Sequence, residues 1–167
     1  MEELTVVAAA SPGLVAWWAH QYADSKALSA GVMFVHLAGI LIAGGFAIVT
    51  DRASLLLAPD GGNDLLRELE RGRGVHAWVL GGLAVTVASG GLQLFSDLHT
   101  YLTSVLFWAK MALIALLLFN GWVRLRIERH LQAGDAASWR RFRLTSGVSL
   151  VLWFTVLLAG AFLTTVS

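Results

Sequence analysis

The sequence predicts an all-α fold: an integral membrane, antiparallel four-helix bundle preceded by a segment at the membrane interface. Three observations carry that expectation. The 167 residues are 57% hydrophobic and 14% charged, with a mean hydropathy of +0.70, which places the chain in the membrane class rather than among soluble cores. Four apolar segments reach the roughly 20 residues that a bilayer-crossing helix needs: Leu28 to Thr50, Gly74 to Phe95, Tyr101 to Val123 and Leu144 to Thr165. All ten arginines fall in the connections after the first and third segments: Arg52, Arg67, Arg71 and Arg73, then Arg124, Arg126, Arg129, Arg140, Arg141 and Arg143. Basic residues resist translocation, so both connections are expected in the cytoplasm and both termini outside.

Residues 1–27 hold an apolar stretch, Leu4 to Trp18, that is short for a span and is interrupted by Ser11-Pro12-Gly13. It reads as an interfacial segment anchored by Trp17 and Trp18. Glu2 and Glu3 stand where a secretory leader carries basic residues, so the N-terminus is expected to be retained. In the first span Gly39, Ala43 and Ala47 recur at four-residue spacing, and in the second Gly82, Thr86 and Gly90 do the same. Such stripes of small residues let membrane helices approach closely. Pro59-Asp60-Gly61-Gly62-Asn63 marks a turn, with Asn63 or Asp64 placed to cap a short surface helix through Arg71. The Ser96 to Thr100 connection is short enough to predict a tight antiparallel hairpin of spans two and three.

Several function classes drop out. Cysteine is absent, which excludes disulfides, thiolate metal sites and dithiol redox chemistry. The basic connections also hold Asp64, Glu68, Glu70 and Glu128 beside strongly apolar spans, so nucleic-acid binding has no support. Nor does the chain carry a phosphate loop, a nucleophile triad or a pair of carboxylates within the membrane.

Lys110 lies near the middle of the third span, where a lysine costs roughly 2.5–3.5 kcal/mol on insertion scales and marks a functional candidate. All eleven acids fall outside the four spans, so a charged Lys110 is expected to face a bound molecule, such as a porphyrin propionate or a quinone or lipid headgroup, or a water-filled cavity, and a neutral Lys110 to serve as a base or ligand. Counted from the outer ends, His36 is about eight residues deep, roughly 12 Å, and Lys110 about nine, which sets them at one level. His76 enters from the other side and lies roughly 15 Å from that level, too far for one haem to bridge the two histidines. Imidazole ligates haem and metals, and the Trp108 ring offers a surface for a porphyrin. Met33, three residues from His36, makes a thioether and imidazole pair of the Cu(I) type, with His20, His99 or Met111 as the further ligands. Asn120 and Gln93, near span ends, read as hydrogen-bonding caps, His130 as solvated, and Trp139 as a surface residue.

The segment His36-Leu37-Ala38-Gly39 through Gly44-Gly45 to Asp51-Arg52, followed by Gly90-Gly91-Leu92 and by Phe107-Trp108-Ala109-Lys110 with Asn120, resembles small bacterial multi-helix membrane proteins. These are the group around the copper-resistance D domain and the HemJ-type protoporphyrinogen oxidases. The resemblance covers roughly Leu28 to Arg124. It implies a bacterial inner-membrane protein in which a first-span histidine and a later-span lysine, here His36 and Lys110, are associated with haem or porphyrin.

The leading expectation is therefore a protein that binds haem or a related porphyrin in its outer half and has a redox role. His36 is the expected axial ligand, Lys110 the partner of a propionate or itself a ligand, and Trp108 a neighbour of the ring. A copper-handling protein built on Met33 and His36 is one rival. The other is a cofactor-free structural subunit that packs through its glycine stripes in a homo- or hetero-oligomeric membrane complex.

Overall fold

The computed structural model describes residues 12–56, 62–133 and 135–166. They form six α-helices: α1 (Pro12–Asp24), α2 (Lys26–Leu56), α3 (Gly62–Ser96), α4 (Leu98–Thr103), α5 (Val105–Gln132) and α6 (Trp139–Val166), with a 3₁₀ turn, Ala136–Ser138, before α6. No strand occurs among the described residues. Four stretches are long and apolar enough to cross a membrane: α2, Gly74–Ser96 of α3, α5, and Trp139–Leu163 of α6, with 31, 23, 28 and 25 residues. Large apolar side chains such as Phe34, Leu41, Val87, Val105, Val151 and Phe154 stand exposed around all four. A soluble domain does not present such a surface, whereas lipid solvates it.

The spans run beyond the expected limits. α2 begins at Lys26 and continues through Asp51 and Arg52 to Leu56, and α3 is one helix from Gly62, so the short surface helix expected through Arg71 is fused to the second span. Residues 4–11 and the turn over 59–61 lie outside the described residues, as do the side chains of Asn63 and Asp64. The third span begins at Val105, not Tyr101, because two caps divide this region. Asp97 accepts from Thr100 N at 3.1 Å and starts α4; Ser104 accepts from Phe107 N at 3.4 Å and starts α5. The Thr100 side chain and amide hold the Asp97 carboxyl below its usual range, as expected for an N-cap carboxylate.

Partner choice follows side-chain size. α3 lies chiefly on α2, α5 on α6, and α2 joins the two pairs through α6, while α3 and α5 touch little. The tight hairpin of spans two and three is thus not formed. On α2 and α3 the small-residue stripes interlock: a Cβ on Gly39 would stand 2.9 Å from Gly82 O, and one on Gly82 would stand 2.7 Å from Ala43 N. Backbones this close gain dispersion and weak polar contacts that larger residues forbid. A second close approach seats the Trp153 ring on Gly44, whose Cβ would lie 3.1 Å from it.

α1 begins at Pro12, a residue suited to the first helical turn because its missing N–H is unpaired there anyway. It rests on α3 and α2, and Trp18 Nε1 donates to Leu92 O at 2.8 Å. Trp17 remains exposed.

Candidate functional site

The centre of the bundle is an apolar layer in which Ala43, Leu117 and Trp153 are buried, with Leu83 packed against them. About two helical turns outward on each helix, roughly 10 Å, stand His36 on α2, Gly90 on α3, Lys110 on α5 and Gly160 on α6. Two basic side chains thus face two glycines in one layer. A Cβ on Gly90 would lie 3.1 Å from His36 Cε1, and one on Gly160 would lie 3.6 Å from Lys110 Nζ. His36 and Lys110 thus stand at a common depth on two helices of the bundle.

His36 is 9% exposed. Its Nδ1 lies 3.1 Å from Thr86 O and 3.1 Å from Ser89 Oγ. A carbonyl oxygen only accepts, and the Ser89 hydroxyl spends its hydrogen on Val85 O at 2.6 Å, so Nδ1 carries the hydrogen and donates. Nε2 then holds the lone pair. A backbone carbonyl and a hydroxyl at Nδ1 form the support that orients a ligating imidazole and fixes its tautomer. Lys110 has no carboxylate partner among the described residues.

Other expected site residues fall elsewhere. Trp108, two positions from Lys110, stands on the opposite side of α5; it is 57% exposed and donates to Leu102 O at 3.0 Å. Met33 is half-buried one turn outward of His36. His20 is exposed and pairs with Asp24 at 2.9 Å, and His99 is exposed. Among the described residues no group of three or more His, Asp or Glu side chains is placed to hold a metal ion. Trp139 is 8% exposed and packs with Ile127, Leu131 and Phe142. Asn120 caps nothing; its Nδ2 donates to Thr145 O at 2.9 Å and ties α5 to α6. The carboxamide nitrogen of Gln93 is buried and has no hydrogen-bond partner among the described residues.

A second polar layer lies on the other side of the apolar centre. Arg124 pairs with Asp51, donates from Nη2 to Ser54 Oγ at 3.0 Å and from Nε to Glu128 Oε1 at 3.2 Å, and covers the Phe142 ring at 5.1 Å. Asp51 is 0% exposed. This network joins α2 to α5. Hydropathy alone ends the first span at Thr50, short of Asp51, yet positions 36, 39, 43, 47, 51 and 54 continue one helical face, and Asp51 and Ser54 lie on it.

Outward of His36, a groove of about 310 Å³ runs between α2 and α3, lined by Leu28, Gly31, Val32, Val35, Ser89 and Leu92 among others. Ser89 is its one polar side chain and the same hydroxyl that meets His36.

Fold and site together define a multi-pass α-helical membrane protein with a polar layer on either side of an apolar centre. No family model, curated protein or solved structure matches the chain.

Proposed function

We propose that this protein binds haem or a related porphyrin in the outer half of the bacterial inner membrane and serves a redox role there. The observation that carries the reading is the hydrogen bonding at His36 Nδ1, which leaves Nε2 as a lone-pair donor inside a membrane bundle. The donor set suits the group: the His36 imidazole would ligate the iron, and the Lys110 ammonium, which has no carboxylate partner among the described residues, would supply the counter-charge for a propionate. His36 is nearly enclosed, so a macrocycle would have to reach Nε2 where helices part, and α3 and α5 touch each other little. The resemblance of the His36 and Lys110 segments to HemJ-type proteins supports the same assignment. When bound, haem supplies one-electron chemistry; the chain's own part is to orient the ring and balance its charge.

The arginine distribution supports cytoplasmic placement of the end carrying Arg52 and Arg124–Arg143, with both termini outside.

Optical spectra of the detergent-purified protein test the reading. Wild type is expected to show a Soret band on titration with haem, His130→Ala to retain it, and His36→Ala to lose it, because only His36 lies in a span where ligation replaces lost hydration. Equal haem content in wild type and His36→Ala would remove His36 from the site.

A further inference from the structure

We propose that the arginine end of α5 holds an anionic phospholipid, with its phosphate on Arg126 and Arg129 and one acyl chain along Trp122, Phe119 and Leu118. The inference needs only the bilayer that four apolar spans call for, and it is independent of the porphyrin reading.

Arg126 stands about 21 residues, roughly 32 Å, along α5 from Val105. A hydrocarbon core of about 30 Å ends near that level, where lipid phosphates begin. Leu118, Phe119, Trp122, Arg126 and Arg129 fall on one side of the helix, and all are exposed. The other side carries Leu117, Arg124, Ile127 and Leu131, which are buried, so the exposed stripe faces away from the bundle. Within the stripe the Phe119 and Trp122 rings stack with centroids 5.8 Å apart and planes at 30°. The Arg126 guanidinium covers the Trp122 ring at 3.9 Å from its centroid. That contact turns the cation back toward the membrane and leaves its planar fork of donors for phosphate oxygens. Arg129, three positions on, stands on the same face one turn nearer the helix end. Neighbouring acids are engaged elsewhere. Glu128 accepts from Arg124 Nε at 3.2 Å, and Asp135 accepts from Ser138 Oγ at 2.7 Å and from Ala137 N at 3.1 Å. Among the described residues no carboxylate pairs with Arg126 or Arg129. A soluble anion would meet the arginines alone, whereas an amphiphile also covers the apolar rings that continue into the span. A phospholipid of net negative charge is the amphiphile a bilayer offers to basic residues at its surface.

The test is native mass spectrometry of the full chain released from detergent, titrated with phosphatidylglycerol and phosphatidylcholine of identical acyl chains. Wild type is expected to retain phosphatidylglycerol in preference to phosphatidylcholine. Arg126→Gln combined with Arg129→Gln should weaken phosphatidylglycerol binding by roughly twentyfold, about fivefold for each basic residue at a membrane surface, and leave phosphatidylcholine unchanged. Arg140→Gln combined with Arg141→Gln removes the same charge from the start of α6 and should bind as wild type does. Trp122→Leu keeps an apolar contact but frees Arg126 from the ring, and should weaken phosphatidylglycerol by about two- to fivefold. All five positions but Trp122 are charged and exposed, so these variants are expected to fold. Equal retention of the two lipids by wild type, equal loss in the two double variants, or full retention by the Arg126 and Arg129 double variant or by Trp122→Leu overturns the assignment. Displacement of the lipid by inorganic phosphate at equal concentration also overturns it, because the site would then bind an anion without using the acyl chain.

Discussion

The Asp51 and Arg124 pair shows how much a single buried charge depends on its partner. Asp51 is wholly enclosed and faces Arg124, which also holds Ser54 and Glu128. Removing one member leaves the other charged and dry, so Asp51→Asn is expected to destabilise the bundle by about 3–5 kcal/mol. The pair itself carries less, because its Coulomb gain is set against the desolvation of both groups. Asp51→Leu combined with Arg124→Met should therefore recover most of the loss, read as thermal unfolding in detergent. A double variant as unstable as Asp51→Asn would show that the network contributes specific structure beyond charge balance. At His36 the same scale of argument concerns geometry: Thr86 and Ser89 hold Nδ1, and Gly90 makes room for the ring.

At the scale of the helix, the α2–α3 seam depends on the absence of side chains. Gly39 and Gly82 face backbone atoms closer than any Cβ tolerates, whereas Gly45 on the same helix faces open space. Gly39→Leu should separate the two helices and cost at least about 1–3 kcal/mol, the usual penalty for overpacking. Gly45→Leu should be close to neutral, and the comparison of their unfolding midpoints controls for helix propensity, since both replace glycine by leucine. Equal destabilisation by the two would mean that the seam is not what holds α3 to α2. The seam also sets the site, because the approach that brings Gly82 to Ala43 brings Thr86, Ser89 and Gly90 to His36. Helix α4 acts at the same scale, with the caps at Asp97 and Ser104 breaking the third span early and starting α5 four residues later than its apolar run suggests.

For the molecule as a whole, charge decides orientation and layering decides where polar chemistry can sit. Arg52 and the arginines from Arg124 to Arg143 gather at one end, where Arg124 is consumed by Asp51 and Glu128, while Arg126, Arg129, Arg140, Arg141 and Arg143 are exposed. A reporter active only outside the cytoplasm, fused after Ser167, should therefore be active. A fusion active only in the cytoplasm would invert the topology and place His36 and Lys110 in the opposite half of the bilayer. Between the two polar layers, Ala43, Leu83, Leu117 and Trp153 close the centre, so the His36–Lys110 layer and the Asp51–Arg124 layer each lie about two helical turns from it.

The number of spans, their order and the common level of His36 and Lys110 were all determined by the sequence alone, because hydropathy over about 20 residues reports lipid solvation directly and helical rise converts position into depth. The stripes at Gly39 and Ala43 and at Gly82, Thr86 and Gly90 mark, in the sequence, faces suited to close helix approach, since that demands small residues at a fixed spacing, though not which face meets which. Only the tertiary structure decided which spans pair. A short connection brings two helix ends together without making their faces complementary, and so α5 lies on α6 rather than on α3. It alone joined Asp51 to Arg124 across the bundle, turned Trp108 outward and buried Trp139. Those outcomes depend on which face of each helix meets which neighbour, a relation between distant segments that no local pattern encodes.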